Sequence, residues 1–243
     1  MKTIKIFFVL GLFMSCLTKN VNAQQTMNTD KPLDRKQQSI VTISAFTAKG
    51  DLLQLQKALS EGLDVGLTAN EMKEVIVHLY AYSGFPRSIR GLQTWMTVLD
   101  ERKAKGINDD LGAEASPIKD ERSKYERGKE ILRKLTGAAQ DSPPTGYSAF
   151  APVIDTFLKE HLFANIFERD VLSYAERELV TVSVLCSIGG VEPMLRSHLN
   201  ICLNVGLTPN QLQQFVNVIK TTAGKKEAKA AQSVLDEVLK NIK

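Results

Sequence analysis

The chain has 243 residues, 43% hydrophobic and 7% aromatic, with 31 Lys and Arg against 27 Asp and Glu. Three of the basic residues lie in the first 23 positions, so the rest of the chain carries 28 basic and 27 acidic side chains. No cluster of basic residues interleaved with aromatics remains, which argues against a nucleic-acid partner. A chain of this length can bury one large core or two small ones.

The first 23 residues have the pattern of a secretory signal peptide. Lys2 and Lys5 precede an apolar run from Ile6 to Cys16, and the segment ends in the small residue Ala23. The run is too short to cross a membrane, and no later segment approaches the roughly 20 apolar residues that a span requires. We therefore predict cleavage after Ala23 and an exported protein, periplasmic or secreted, without a membrane span.

The cysteines raise one alternative for the N-terminus. A lipid anchor at Cys16 is an option, because Phe13-Met14-Ser15-Cys16 resembles a lipoprotein cleavage box. Only Cys186 and Cys202 follow the predicted cleavage site, and their spacing matches neither a CxxC pair nor a disulfide framework. Both lie inside apolar helical patterns, so we expect two free thiols.

The chain contains an internal duplication. LDVGLTANEM at 63–72 matches LNVGLTPNQL at 203–212 with an offset of 140, and IVTIS at 40–44 matches LVTVS at 179–183 with an offset of 139. Such self-similarity indicates two copies of one structural unit. The predicted organisation after the signal is a tail at 24–32, repeat 1 at 33–99, a connecting segment at 100–171 and repeat 2 at 172–239.

Both repeats have helical signals. Gly66 and Gly206 suit the left-handed position after a helix, and Thr68-x-x-Glu71 and Thr208-x-x-Gln211 are capping boxes for the next one. The following apolar residues recur at helical spacing up to Gly84 and Gly224. No segment of useful length alternates like a strand, so we predict an all-α fold of two pseudo-symmetric helical repeats.

The connecting segment also has helical patterns. We predict a helix at about 121–135, a break at 141–144, and an amphipathic stretch at 150–167. The segment is too long and too apolar at its end for a flexible linker. We expect it to pack on repeat 2.

Four stretches carry a resemblance to a known family: YERGKEIL, FLKEHLFANIFERDVLSYAERELVTVSVL, LRSHLNICLNVGLT and EMKEVIVHLYAYSGFP. They resemble the carboxymuconolactone decarboxylase family of the alkyl hydroperoxidase D-like superfamily. The resemblance covers nearly all of 33–239 and implies an all-helical fold that assembles into trimers or hexamers, so we expect a homo-oligomer, a trimer of two-repeat chains. It implies one of two activities: cofactor-free decarboxylation of a carboxylated lactone, or the thiol peroxidase chemistry of alkyl hydroperoxidase D.

The peroxidase alternative depends on a CxxC motif that this chain lacks. Glu178 and His198 occupy the family's Glu and His positions, but Val191 and Met194 stand where the two cysteines belong. Without two thiols that form and reopen a disulfide, that mechanism has no nucleophile. Cys202, four residues after His198, leaves a one-thiol variant open. Peroxiredoxin-type antioxidant activity is therefore the disfavoured alternative.

The two repeats differ in a complementary way. Repeat 2 carries Glu178 and His198, whereas repeat 1 carries Glu74, His78 and Tyr82 at successive four-residue steps. The other repeat has different side chains at all five aligned positions: Ser39, Ala58, Gln214, Val218 and Thr222. If the repeats pack about a pseudo-two-fold axis, one composite site contains all five groups and the second contains none. Whether the halves meet within one chain or between chains stays open.

Two carboxylates, two imidazoles and a phenol in one pocket suit proton transfer. We predict Glu74 or His78 as the acid or base and His198 with Glu178 as an oriented pair, and we expect Tyr82, Arg177 and Arg196 to hold anionic groups of the substrate. The predicted function is a cofactor-independent lyase or isomerase acting on a small carboxylated lactone or unsaturated acid.

Two other classes of site remain as alternatives. The spacing Glu74-x-x-x-His78 places two potential metal ligands on one helical face, and Glu178 with His198 would complete four. No closed zinc signature is present, so we predict neither a metal nor a cofactor. A non-catalytic oligomeric binding protein that has kept the pocket is the third class.

Overall fold

The structure, a computed structural model, describes residues 31–140 and 143–241. The predicted signal peptide and Cys16 lie outside these residues. Throughout the described part of the chain the regular elements are helices and no strand is present, which confirms the all-α prediction. None of the described helices is both long and apolar enough to cross a bilayer.

The helices follow the predicted order of two repeats joined by a connecting segment. Repeat 1 contains α1 (Arg35–Lys49), α2 (Leu52–Asp64), α3 (Ala69–His78) and α4 (Tyr80–Ala104). The connecting segment contains α5 (Lys124–Thr136), α6 (Tyr147–Phe150), α7 (Pro152–Phe157) and a π-helix (Leu158–Phe167). Repeat 2 contains α8 (Tyr174–Ile188), α9 (Glu192–Asn204), α10 (Pro209–Thr222) and α11 (Lys225–Lys240).

The predicted start signals of α3 and α10 are present as capping boxes. The side chains of Thr68 and Thr208 each accept a hydrogen bond from the backbone N–H three residues ahead, and the side-chain oxygen of Glu71 or Gln211 there accepts one from the backbone N–H of the cap residue. Gly84 has φ 80° and ψ 163°, a conformation that breaks the helix, but the chain resumes helical geometry directly afterwards. The helical geometry therefore stops at Gly84 as predicted, and a second helical segment within α4 begins directly after this kink; Tyr82 lies in the turn before it.

The repeats pack about a pseudo-two-fold axis. Helix α1 lies against its counterpart α8 at the centre of the molecule. Helix α1 also packs on α10 of repeat 2, and α8 packs on α3 and α4 of repeat 1. One continuous apolar core contains residues of both repeats. The front helix of each repeat therefore lies against the back helices of the other.

The connecting segment covers repeat 2 and reaches repeat 1. Helix α5 lies along the π-helix and packs on α9, where Asn204 Nδ2 donates to the carbonyl of Thr136 at 3.0 Å. A second, smaller core joins Ile131 and Phe163 of this segment with Ile201 of α9, and Tyr82 of repeat 1 packs against it. The segment thus meets both halves of the predicted composite site.

Candidate functional site

The five predicted polar residues come together within one chain. Glu74 and His78 lie one turn apart on α3, and Tyr82 follows in the first turn of α4. The ring of Tyr82 lies between two imidazoles, with centroid distances of 5.7 Å to His78 and 5.8 Å to His198. Glu178 Oε2 lies 2.8 Å from His198 Nδ1. The two halves of the composite site, one from each repeat, therefore meet within a single chain.

Glu74 is buried between two arginines. Arg169, which follows the π-helix, donates from Nε at 2.8 and 3.0 Å and from Nη2 at 2.9 Å. Arg177 of α8 donates from Nη2 at 2.8 Å. Burial by itself raises the pKa of a carboxyl group, but the hydrogen bonds and charges of both arginines outweigh it, so the pKa of Glu74 lies below its ordinary value. Glu74 is an anion in this site.

The hydrogen bonds of His78 define its tautomer. Arg177 Nη1 lies 3.2 Å from His78 Nδ1, and because a guanidinium can only donate, Nδ1 is the acceptor. The proton therefore resides on Nε2, which donates to Thr181 Oγ1 at 3.0 Å. The hydroxyl of Thr181 in turn donates to the carbonyl of Arg177 at 3.0 Å. His78 is held as the neutral Nε2–H tautomer.

The surroundings of His78 oppose its protonation. The side chain is fully buried, with the edge of Phe167 in contact at a centroid distance of 4.9 Å. Burial, then the charges of Arg177 and of His198, hold the pKa of His78 well below its ordinary value. This imidazole is therefore a fixed hydrogen-bonding group at neutral pH.

Three buried polar atoms among the described residues lack a hydrogen-bond partner, and all three belong to this site. They are the hydroxyl of Tyr82, Oε1 of Glu178 and Nε of Arg177. Burial, reinforced by the charge of Glu178, raises the pKa of Tyr82, so its phenol keeps its proton. Thr181 lies close to this phenol but does not form a hydrogen bond of acceptable geometry with it. Unpaired buried polar groups are uncommon in proteins, and all three of these atoms belong to one group of side chains.

Tyr82 and His198 are the two partly exposed residues of the group, although the hydroxyl of Tyr82 is buried. The side chain of His198 is 15% exposed, whereas Glu178 is fully buried. Nδ1 is engaged by Glu178, which leaves Nε2 as the second ring nitrogen for a reacting group. This carboxylate and imidazole pair is the accessible end of the site.

The predicted substrate-binding arginines are both occupied by carboxylates. Arg177 is fully buried and bonded to Glu74, His78 and the carbonyl of Arg169. Arg196 lies at the surface of α9 and pairs with Glu237 of α11. Arg177 therefore organises the site from behind, and Arg196 lies apart from the five converging groups.

Sequence reasoning missed Arg169 and Thr181. Arg169 lies in the connecting segment, which has no copy in the other repeat, so the alignment offered no signal for it. The alignment did carry a signal for Arg177: its counterpart at an offset of 139 is Gln38, just as Glu74 faces Gln214. The charged pair of one site is thus a pair of amides in the other.

The counterpart site keeps the helix packing and has amides at the positions of Arg177 and Glu74. Gln214 Oε1 accepts from the backbone N–H of Leu33 at 3.0 Å, and Gln38 Nε2 donates to the carbonyl of Leu33 at 2.9 Å. Ser39 and Ala58 line an open cavity of about 420 Å³ on this side. The connecting segment covers the retained site and leaves this one open.

The thiols do not favour peroxidase chemistry. Cys202 is buried, and burial followed by the charge of Glu178 raises its pKa well above the ordinary value, so little thiolate forms. Cys186 borders a cavity of about 470 Å³ at the far end of α8, and burial raises its pKa to about 12. No three His, Cys, Asp or Glu side chains are grouped at metal-binding positions within residues 31–140 and 143–241.

The arrangement suits proton transfer to and from a small molecule beside Tyr82. It combines a partly exposed imidazole backed by a carboxylate, a protonated phenol, and a buried neutral imidazole fixed by Arg177 and Thr181. The two imidazoles thus lie in different surroundings, one open to a reacting group and one closed by its partners.

Comparisons with known proteins agree with this architecture. The sequence profile described as Carboxymuconolactone decarboxylase family matches residues 19–95 and 152–237. The chain is similar to 4-carboxymuconolactone decarboxylase of Acinetobacter baylyi, with 27% identity over 120 residues, 49% of this chain and 89% of that protein. It is also similar to the uncharacterized protein MJ1511 of Methanocaldococcus jannaschii, with 25% identity over 81 residues, 33% of this chain and 76% of that protein.

Each of the two matched regions contains most of one half of the internal duplication, which confirms that the family's unit occurs twice. The helical fold, the complementary loss of side chains and the profile matches all lead to the same assignment. The chain belongs to the carboxymuconolactone decarboxylase family, as a member with two tandem copies of the family's helical unit.

Proposed function

We propose that this protein is a cofactor-independent acid/base lyase or isomerase acting on a small carboxylated lactone or unsaturated acid at the single composite site. The observation that supports it most is the convergence of Tyr82, Glu178 and His198 from opposite repeats, with the Tyr82 hydroxyl and one Glu178 oxygen left without partners. A relative named 4-carboxymuconolactone decarboxylase supports the substrate class.

In the proposed site, His198 is the general acid or base and Glu178 orients it. The 2.8 Å contact between Glu178 Oε2 and His198 Nδ1 fixes the ring and stabilises an imidazolium. Because His198 is the imidazole that reaches solvent, it can be reprotonated after each turnover. Such proton transfer contributes about 10²–10⁴-fold to a rate.

Tyr82 provides the second contact to the substrate. Its buried phenol remains protonated and is free to donate a hydrogen bond to a lactone or enolate oxygen. A donor aimed at developing negative charge is worth more in a water-poor site than in bulk solvent. Tyr82 is thus the proposed stabiliser of the charged intermediate.

The reaction is written with these side chains alone. In a decarboxylation, the bond from carbon to the carboxylate breaks, carbon dioxide leaves, and the electron pair passes into the adjacent unsaturated system. Tyr82 stabilises the negative charge on oxygen, and His198 delivers a proton to carbon. In an isomerisation, the same imidazole removes a proton at one carbon and returns it at another.

The test is turnover of carboxylated lactones and unsaturated acids by the purified protein, with His198→Asn as the disabled variant and His161→Asn as the control. His161 is exposed on the π-helix, where its Nδ1 contacts Asn165. We expect His198→Asn to lose about 10²–10⁴-fold in kcat/KM and His161→Asn to keep wild-type activity. Ligand binding without turnover by the wild type would instead favour the binding-protein alternative.

Export and assembly are part of the same proposal. The residues before Ala23 support export, which cell fractionation tests.

Helices α6 and α7 expose a row of large apolar side chains, Tyr147, Phe150, Val153, Ile154 and Phe157. A contiguous apolar patch of this kind is typical of a surface that contacts another molecule, and a second copy of this chain is the partner we propose. We expect Phe150→Asp to lower the mass measured by light scattering.

A further inference from the structure

The retained site holds a buried charged pair, Glu74 with Arg177, and a second, partly exposed cation, Arg169, that the fold itself does not require. Glu74 is enclosed by Arg169 and Arg177, so two cations face one anion. Arg177 is fully buried, and placing charges in a protein interior is costly even when they are paired. In the counterpart site, Gln38 and Gln214 occupy the positions of Arg177 and Glu74. The chain therefore builds the same helix packing with neutral side chains.

We propose that Arg169, Glu74 and Arg177 form a positioning frame that fixes His78 in one orientation and one tautomer, leaving His198 as the imidazole that exchanges protons. This inference rests on the proposed function, because it divides the two imidazoles of that site between a fixed and a reacting role. Arg169, Glu74 and Arg177 act through His78, so they are positioning residues.

The frame is continuous from the connecting segment to the ring of His78. The side chain of Arg169 holds Glu74, and its carbonyl accepts from Arg177 Nη2 at 2.6 Å. With one Nη group tied to Glu74 and Arg169, Arg177 presents its other Nη group to His78 Nδ1. The side chain of Arg169 and its backbone thus determine where the donor to His78 lies.

Thr181 completes the frame on the other side of the ring. Its hydroxyl donates to the carbonyl of Arg177, so its lone pairs face the Nε2–H of His78. Each ring nitrogen of His78 therefore has a hydrogen-bond partner that is compatible only with the Nε2–H tautomer. Phe167 closes the remaining edge of the ring.

The groups that face His78 from other helices act in the same direction. His198 of α9 and Arg177 of α8 oppose a positive charge on His78, and Tyr82 of α4 is an uncharged neighbour. Glu74, the carboxylate on its own helix, is neutralised by Arg169 and Arg177. Glu178 is bonded to His198. No described carboxylate is bonded to His78 to stabilise its protonated form.

The test is nuclear magnetic resonance of the histidine ring nitrogens in ¹⁵N-labelled protein, recorded at a series of pH values between about 5 and 8. The chain has three histidines, which makes assignment by His→Asn variants direct. In the wild type, we expect His78 to show one protonated and one unprotonated nitrogen at every pH in that range. The matched variant is Glu74→Gln with Arg177→Gln, which copies the counterpart pair Gln214 and Gln38.

In the double variant, we expect the signals of His78 to become an average of two tautomers and to move with pH. The control is Arg102→Gln, which breaks a similarly shielded pair with Asp109 that does not touch His78, and which should leave its signals unchanged. Unchanged His78 signals in a folded double variant would overturn the inference. Folding of the variant is checked by its helical circular dichroism.

The measurement needs no substrate, so it separates this inference from the proposed function. If the double variant alters His78 while the wild type turns over none of the candidate acids or lactones, the frame stands and the proposed reaction is wrong. If the wild type is active and the double variant keeps both its activity and its His78 signals, the reaction stands and the frame is wrong.

Discussion

The ring of Tyr82 meets the ring of His198 edge-on, with their centroids 5.8 Å apart, although the two residues come from opposite repeats. The contact exists because α8 of repeat 2 packs against α3 and α4 of repeat 1, and α9, which carries His198, packs on α8. A duplicated unit with two equivalent sites can lose different residues from each copy and still keep one complete site. The distribution of Glu, His and Tyr between the repeats follows from this geometry.

Replacing Tyr82 with Phe should slow turnover strongly without loss of stability. The hydroxyl is buried and has no hydrogen-bond partner. Its removal therefore eliminates the cost of burying an unpaired polar group. We expect the midpoint of thermal unfolding to stay the same or rise, while kcat/KM falls by about 10²-fold or more. A large loss of stability in this variant would show that the hydroxyl is bonded in solution.

The matched control for that experiment is Tyr125→Phe. The hydroxyl of Tyr125 contacts Asp155 at 3.1 Å and Lys159 at 2.9 Å in the connecting segment. Its removal should cost about 1 kcal/mol of unfolding free energy and leave turnover unchanged. Tyr82→Phe should therefore lower activity and spare stability, whereas Tyr125→Phe should lower stability and spare activity.

Replacing Glu178 with Gln should show whether His198 needs the negative charge of its partner or only a hydrogen-bond acceptor at that position. An amide oxygen can still accept from Nδ1, so the ring keeps its position, but the negative charge that stabilises an imidazolium is lost. We expect kcat/KM to fall by about 10²–10⁴-fold with little change in substrate binding. Activity close to that of the wild type would exclude Glu178 from the proposed mechanism, and Glu192→Gln at the exposed start of α9 is the control.

The helices and the duplication were predictable because their signals are local. Apolar spacing, the capping boxes at Thr68 and Thr208, and the glycines that follow α2 and α9 are all contained in short stretches of sequence. The kink at Gly84 was expected as a helix end, because a pattern of residues cannot show that the chain resumes its helix one residue later.

The sequence predicted which residues converge at the candidate site, but it did not predict the hydrogen bonds and ion pairs that join them. The alignment of the repeats identified the five groups that converge, because complementary loss leaves a trace in sequence. It did not identify Arg169, whose contact with Glu74 spans 95 positions and comes from a segment present once. The role expected for Arg177 as a substrate anchor likewise changed, because burial and three internal partners are properties of the packed molecule.

Replacing Glu74 alone should be more harmful than replacing Glu74 and Arg177 together. Glu74→Gln leaves Arg177 as a buried cation without its carboxylate, which costs about 3–5 kcal/mol. Adding Arg177→Gln removes that charge and recreates the amide pair of the counterpart site, and the partly exposed Arg169 can turn to water. We expect the double variant to recover about 1–3 kcal/mol in urea unfolding. Additive losses would show that the pair is not coupled.

The stability of the protein should fall on mild acidification because of His78. Its pKa in the folded protein lies well below the ordinary value of 6.5, owing to burial and then to the charges of Arg177 and His198. Between these two values the unfolded chain binds a proton that the folded chain excludes. The unfolding free energy therefore decreases as pH falls below about 6.5, by up to about 1.4 kcal/mol per pH unit from this residue.

Glu74 affects the unfolding free energy in a separate and lower range of pH. Its pKa in the folded protein lies below the ordinary value of 4.5, because the two arginines outweigh the effect of burial, so its contribution is complete above that value and is lost as pH falls through the folded value. Between about pH 4.5 and 6.5 the slope assigned to His78 should disappear in His78→Asn and persist in His161→Asn. Urea unfolding at a series of pH values measures it, and an equal slope in both variants would show that His78 is not the residue responsible.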